Sequence, residues 1–316
     1  MWFGQRVLVI ANPSAGRGRA ATSLGLLRSL LGKGDRLVLT ESPRHGVELA
    51  REAGRSGDWP IIAAAGGDGT AHEVGCGLLE SGNHEAALAV LPIGSANDYA
   101  CGLKLGRHWW KRPGVKTRLA QVDAGRLEWT GADGKPGGTW FINGMAAGFN
   151  GQVTLESRKI RHLRGLPLYA LAVWRALGSH RVGGAWRVSV DGVALAERPR
   201  LTVSLALGPR EGNFVVAPRA SLTDGLFDIL AAEPLGMLEI LRLLPGLAAG
   251  AAVTHPRVWQ GRGACVELGI GEGEAFIAHT DGELVVLPAM GIRKLTASVA
   301  PGRLRVVAGE GFGTAG

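Results

Sequence analysis

The sequence predicts two domains in series, a parallel α/β sheet followed by an antiparallel sheet domain. Three observations predict it. Across residues 1–105, short continuous apolar runs alternate with helical patterns, the arrangement of a parallel sheet covered on both faces. Beyond Lys111–Gln121 the runs become short, partly alternating, and bounded by Gly, Pro or Asp-Gly, which is antiparallel patterning. And 316 residues, 46% of them hydrophobic, exceed the usual size of one core.

The elements follow in order. RVLVIA (6–11) is a strand, then comes a Gly-rich loop and a helical pattern from Ala20 to Leu31. RLVLT (36–40) is a second strand, followed by a helix from about Val47 to Ala53. PIIAAA (60–65) and AALAVL (86–91) are further strands, each leading through a loop into a helical pattern. In such sheets ligands bind at the carboxyl ends of the strands. The second half reads as the strands TWFINGMAAGFNG, AWRVSVDG, RLTVSLALG, GLFDILAAEP, ACVELGIG, AFIAHTDGELVVL and GRLRVV, interrupted by one helix at about 154–178. The most apolar stretch, 234–253, is broken by Glu239, Arg242 and Pro245. It fails as a membrane span and reads as helix, turn and helix. The expected domains are 1–120 and 121–307, whose last strand has the option of returning to the first domain, with 308–316 as a tail.

A net charge of +8 and a pI of about 9.9 call for an anionic partner: nucleic acid, nucleotide phosphates or an acidic membrane surface. Cys76, Cys101 and Cys265 are too far apart for a disulfide framework or a zinc site, so a reducing compartment is expected. The N-terminus has no signal-peptide h-region. A cytoplasmic protein is the expectation.

The strand ends carry the chemistry. In NPSAGRGRA (12–20), Gly16, Gly18 and Ala21 match GxGxxA, with Glu41 further on. Asn12 to Ala15 separate the first glycine from its strand, so phosphate contact and a flexible loop both stand as readings. GGDGT is more specific. Gly66, Gly67 and Gly69 let backbone N–H groups approach a ligand, and the helix that follows aims its N-terminus at the same point. Thr70 and Glu73 fit a capping box, which is a structural reading. Asp68 has no such explanation. An acid among phosphate-facing amides repels the ligand unless a cation intervenes, so it is a candidate for Mg²⁺, directly or through water. In LPIGSANDYA (91–100), Pro92 and Gly94 turn the chain and Ser95, Asn97 and Asp98 face the same crevice, although any one of them alone reads as an N-cap.

In this order and spacing, NPSAGRG, GGDGTAHEV and LPIGSANDYA resemble the diacylglycerol kinase catalytic domain family, which takes in bacterial soluble lipid kinases and, more distantly, sphingosine and ceramide kinases. APRASLTDGLFDI (217–229) and HTDGELV (279–285) are similar to its two downstream motifs. GGDGT alone is shared with NAD kinases and related phosphofructokinases; joined to GSAND and LTDGLFD it is specific. The resemblance spans roughly residues 6–307. It implies a nucleotide-binding α/β domain and a β-sandwich domain, with ATP between them and a lipid hydroxyl as acceptor. It places Asn12, Thr40, Gly66, Gly67, Asp68, Gly69, Thr70, Ser95 and Asn97 on the nucleotide. It implies a Mg²⁺ held by Asp224 with the carbonyls of Ser221 and Leu226, and a base at Asp281 or Glu283. Asp68, with Mg²⁺ beside it, serves catalysis. From the residues alone, Asp-Gly at 133, 191, 224 and 281 would each be a hairpin turn. Two departures stand out: Gly208, where the family usually has Asn, and GFN in place of GFD, where Asn150 lacks the charge to pair with a sphingoid amine.

The segment 156–181 sets Arg158, Lys159, Arg161, His162 and Arg164 before an apolar helix holding Tyr169 and Trp174. This suits peripheral contact with an anionic membrane; a helix packed on the sheet with solvated charges is the alternative. HWWKR (108–112) has the composition of a base-stacking cluster, but no nucleic-acid motif accompanies it, so no nucleic-acid partner is expected. No histidine pair has metal-ligand spacing. The expected reaction is phosphoryl transfer from ATP to a lipid hydroxyl. The alternatives are an NAD kinase-like enzyme, whose Asn-Glu dipeptide is absent from the sequence, and a non-catalytic nucleotide-binding membrane protein.

Overall fold

The computed structural model describes residues 4–112, 114–160, 163, 165–179, 184–250 and 253–313. The chain divides into two compact units, 1–124 with 301–316 and 125–300. The unit boundary lies at 124/125, where 120/121 was expected, and the last strand returns to the first unit.

The first unit alternates strand and helix: β1 (Val7–Ala11), α1 (Arg19–Leu30), β2 (Arg36–Leu39), α2 (His45–Ser56), β3 (Ile61–Gly66), α3 (Asp68–Ser81), β4 (Ala87–Pro92) and the short α4 (Asp98–Gly102). β1, β3 and β4 are buried along their whole length, which explains their unbroken apolar sequence. Each fully buried Val, Ile or Leu contributes about 1.5–3 kcal/mol. All pairings here are parallel, in the order β2-β1-β3-β4, with the last strand of the chain joined to β4 through Val306 and Leu88. The order reverses between β1 and β3, so the loops after these two strands flank the crevice where such sheets bind ligands. α2 presents Gly46, Val47, Ala50, Ala53 and Gly54 inward, at helical spacing. It lies so close to α3 that a Cβ on Gly77 would stand 2.4 Å from the Val47 carbonyl oxygen.

β5 (Thr117–Thr130) carries the chain into the second unit. There follow β6 (Pro136–Phe141), β7 (Gly144–Gly148), α5 (Phe149–Lys159), α6 (Gly165–Ser179), β8 (Ala185–Val190), β9 (Thr202–Ala206), β10 (Phe227–Ala232), α7 (Met237–Ala249), β11 (Val258–Gly263), β12 (Cys265–Gly269), β13 (Ala278–Thr280), β14 (Glu283–Val286) and β15 (Lys294–Gly309). One antiparallel sheet runs β11-β10-β9-β7-β13-β14, while β8, β12 and the first half of β15 pair antiparallel in another. Phe141 stacks on Phe227 at 5.7 Å and Trp186 meets Phe276 edge-on at 5.0 Å. The helix expected at 154–178 is two helices, α5 and α6. The expected helix, turn and helix of 234–253 is one helix, α7, which retains Pro245 inside it.

Register decides which residues share a face. His279, Ala146, Ser204, Leu230 and Gln260 stand opposite one another across five strands. Side chains alternate along a strand, so Thr202, Ser204 and Ala206 share that face with Asp228, Leu230 and Ala232, and with Val258, Gln260 and Arg262. Over it lie α5 and α6, whose Phe149, Val153, Ala172, Val173 and Ala176 form an apolar cluster with Leu201 and Leu235, and α7, whose Ile240 and Leu243 pack against that cluster.

Candidate functional site

In the first unit, the carboxyl ends of the parallel strands collect every nucleotide-side residue named from the sequence. Asn12 follows β1 and donates its N–H to the Ala65 carbonyl at 3.1 Å. Thr40 follows β2, buried, its N–H donating to the Ala11 carbonyl at 2.9 Å. The loop after β3 touches the loop after β4 backbone to backbone. A Cβ on Gly94 would lie 2.4 Å from the Gly67 Cα, and one on Gly66 would lie 2.1 Å from the Thr70 hydroxyl oxygen. These glycines are required for the loops to close. Asn97 is in the left-handed region at φ 58°, a conformation asparagine tolerates better than most residues. Its Nδ2 donates to the Gly94 carbonyl at 3.0 Å, while its buried Oδ1 has no protein partner. Arg107 donates to the Gly94 and Ser95 carbonyls, at 3.0 Å each. The expected GxGxxA loop contains a 3₁₀ turn, Ala15–Gly18, ahead of α1.

Asp68 does something the sequence did not announce. Its carboxylate accepts the N–H of Asn97 at 2.7 Å and that of Tyr99 at 3.1 Å, satisfying orphan amides at the start of α4. Both oxygens therefore clamp the GSAND loop. Burial, reinforced by the charge of Asp98, pushes this carboxyl up to about 6, against the lowering by the amides of Tyr99, Asn97 and Asp98. The capping box expected at Thr70 and Glu73 is not formed. Gly67 is the N-cap of α3, without a side-chain cap. Glu73 instead accepts the N–H groups of Arg44 and Gly46, both at 3.0 Å, at the start of α2.

In the second unit, Asp281 and Gly282 form the turn between β13 and β14, with φ of 50° and 82°, the pattern of a type I′ hairpin. The Asp281 carboxylate accepts three amides, from Ile142 at 2.9 Å, Asn143 at 2.9 Å and Gly144 at 2.8 Å. Glu283 instead pairs with the Arg158 guanidinium at 2.7 Å, with the two side chains each 46% exposed. The two candidate bases therefore differ in availability: Asp281 is built into the turn, Glu283 is at the surface. The departure at Gly208 has a steric cause, since a Cβ there would stand 2.2 Å from Asn143 Oδ1. An asparagine from the neighbouring segment fills that space.

Asp224 faces a cation of the chain itself. Its carboxylate is ion-paired with Arg262 and accepts the Leu226 N–H at 3.2 Å. Arg262 also reaches Asp228 at 3.2 Å, its cross-strand partner. Of the residues named for a metal ion, Ser221, Asp224 and Leu226, the structure pairs Asp224 with a guanidinium. Among the described residues, no three His, Cys, Asp or Glu side chains gather as a metal site.

In the basic segment, two side chains are paired. Arg158 engages Glu283, and Lys159 pairs with Glu156 at 2.7 Å; Arg161, His162 and Arg164 lie outside the described residues. In HWWKR both tryptophans are buried, Trp109 donating to the Val90 carbonyl at 2.9 Å and Trp110 lying under Lys111. They are core, not a stacking platform.

Sequence reading missed a cavity of about 450 Å³ in the second unit. Tyr169, Val173, Ile240 and Leu243 close it from the helices, over the sheet face bearing Thr202, Ser204 and Leu230. Asn150 lies in it, donating to the Ser204 hydroxyl at 3.0 Å. Asp228 and Arg262 also line it, in the register row Gly144–Ala206–Asp228–Arg262. Gly144 is the residue whose amide Asp281 holds. The available signal was the period-two pattern of 202–206, 228–232 and 258–262. No helix among the described residues is long and apolar enough to cross a membrane.

Comparison with known proteins agrees with this division. Residues 6–127 match the diacylglycerol kinase catalytic domain, and 143–308 match the YegS C-terminal NAD kinase beta sandwich-like domain. A Pseudomonas aeruginosa protein named "Probable lipid kinase YegS-like" is 32% identical over 83% of this chain and 80% of its own length. A Chromohalobacter salexigens protein of the same name is 34% identical over 63% of this chain and 62% of its own. A crystal structure described as a diacylglycerol kinase from Bacillus anthracis has a TM-score of 0.66 and 17% identity over 97% of both chains, a likeness of fold.

Two outcomes follow. Asp68 has a folded pKa near 6, above its ordinary value of about 4. The folded state therefore holds an extra proton across that window. Its stability is greatest below the window and falls as pH rises through it, by on the order of 2–3 kcal/mol. Melting temperature of nucleotide-free protein against pH should show this slope in the parent, and Asp68→Asn should flatten it; equal slopes would refute the assignment. Separately, Gly94→Ala should push the two loops apart and cost about 1–3 kcal/mol in urea unfolding; an unchanged midpoint would show that the loops do not touch.

Proposed function

The chain belongs to the diacylglycerol kinase catalytic domain family, and on that premise we propose that it is an ATP-dependent lipid kinase, transferring the γ-phosphoryl group to a hydroxyl of diacylglycerol or a related glycerolipid at a membrane surface. The observation that carries this reading is the cavity of the second unit. Its lining is mostly apolar, and its Asp228 and Arg262 belong to the register row that begins beside the Asp281 turn. A soluble, polar acceptor would not need such walls; an acyl chain does.

In the first unit, the switch-point loops suit a nucleotide. The glycines keep side chains away, the first turn of α3 offers amides with no intrahelical acceptor, and the unpartnered Asn97 Oδ1 suits a ligand donor. MgATP, when bound, supplies the electrophilic phosphorus, its leaving group and the metal's charge. The chain's own residues do the rest. Asp68 fixes the GSAND loop against GGDGT, so the amides are in place before the nucleotide arrives. Glu283 receives the proton from the acceptor hydroxyl as its oxygen bonds to phosphorus, and Arg158 sets the Glu283 rotamer. Asp281 keeps the turn rigid through its three amides.

The outer surfaces of α6 and α7 suit peripheral membrane contact. While Tyr169 and Ile240 face the cavity, Trp174 and Leu238 on the same helices are 60% and 67% exposed. Amphipathic helices lie in a membrane interface in this way. The three free thiols suit a reducing, cytoplasmic setting.

Labelled ATP offered with diacylglycerol in mixed micelles, or with NAD, tests the reading. Labelled lipid is the expected product; labelled NAD, or neither, would overturn it. Glu283→Gln should lower lipid turnover about 10²–10⁴-fold with the KM for ATP unchanged, whereas Asp281→Asn should lower the melting temperature first. The reverse pattern would exchange their roles. Replacing Trp174 and Leu238 by serine together should weaken binding to anionic vesicles by roughly tenfold or more; unchanged cosedimentation would remove these helices from the membrane.

A further inference from the structure

The phosphoryl-transfer reading leaves one histidine–carboxylate pair unused. His279, 1% exposed, lies on the cavity side of the sheet, in register with Ala146 and Ser204. The Gly282 N–H donates to its Nδ1 at 3.3 Å. Nδ1 is therefore the acceptor, and the proton of the neutral ring sits on Nε2. Nε2 faces the Glu211 carboxylate at 3.3 Å, and Glu211 lines the cavity. A short hairpin delivers it: Arg210–Glu211 pairs with Phe214–Val215 around Gly212 and Asn213, with φ of 61° and 73°, again a type I′ turn. A line of polarity thus runs from the Asp281 turn, through Gly282 and His279, to a carboxylate in a mostly apolar wall.

The Glu211 side chain is 32% exposed, and a hydrogen bond fixes where its carboxylate points. His279 supplies that bond. The Glu211 charge is felt inside the cavity: burial, with this carboxylate as the second cause, holds the Tyr169 hydroxyl well above the usual phenol range. What Glu211 recognises must be a donor. Arg262, which lines the same cavity, is taken by Asp224 and Asp228, and Arg219 acts on Asp228. A hydroxyl is the donor that a glycerolipid carries.

Resting on the lipid-kinase reading of this cavity, we propose that Glu211 is a specificity-determining residue, positioned by His279, that accepts a hydrogen bond from a second hydroxyl of the acceptor. Acceptors with two hydroxyls are then preferred to acceptors with one. Nothing in the resemblance to the family assigns either residue this role.

The test compares kcat/KM for monoacylglycerol, which has two hydroxyls, and diacylglycerol, which has one, in the same detergent at saturating MgATP. The parent should favour monoacylglycerol by about ten- to hundredfold, the range for a hydrogen bond to a charged group. Glu211→Leu should abolish that preference, and Glu211→Gln should restore part of it through its carbonyl oxygen. His279→Phe should reduce it through the KM for monoacylglycerol; if that variant does not fold, the Glu211 pair carries the test. General structural damage lowers both rates together and leaves the ratio unchanged. A parent without preference, a ratio insensitive to Glu211→Leu, or a Glu211-dependent preference for a long-chain amino alcohol would each overturn the inference while the kinase reading stands. Failure of the parent to phosphorylate any of these lipids would overturn both.

Discussion

The functional ends of both units depend on one constraint: a backbone N–H turned away from its sheet or helix must still find an acceptor. Aspartate meets it repeatedly. Asp68 holds the amides of Asn97 and Tyr99, and Asp281 those of Ile142, Asn143 and Gly144. Asp191 does the same for Ala264 and Cys265, Asp35 for Val7 and Gly32, and Asp123 for Gly302. Each carboxylate ties a turn to a segment far away in sequence. The loops that a ligand would meet are fixed in advance by charge-assisted bonds, roughly twice as strong as neutral ones.

This constraint separates acids that look alike in sequence. Asp224 and Asp281 both precede glycine, yet one faces a guanidinium and the other three amides. Glu283, two residues beyond Asp281, is held by an arginine at the surface, which leaves it the more available proton acceptor of the proposed reaction. Asp68, among its glycines, is a clamp before it is anything else. Its burial beside Asp98 sets a tension between folding and charge at that loop.

The cavity arises from a different rule. Strand alternation sends every second residue of β9, β10 and β11 to one face, and the helices over that face supply apolar side chains. Its chemistry was already written in TVSLA, FDILAA and VWQGRG. What the strands alone do not give is their mutual register, and a shift of one residue would exchange the whole row for its neighbours.

The sequence by itself determined the two-part architecture, the positions of the parallel strands and the loops that carry GGDGT, GSAND and TDGE. It could do so because periodicity and glycine placement are local properties. Tertiary structure alone decided where the carboxylates point. Asp68, Glu73, Asp224 and Asp281 all meet partners from segments distant in sequence or across strands, so no spacing rule foretells them. It also turned the aromatic pair Trp109–Trp110 into core and split the helix expected at 154–178. Side-chain identity is a local fact; the partner that gives a charge its role is set by packing, which only the folded chain specifies.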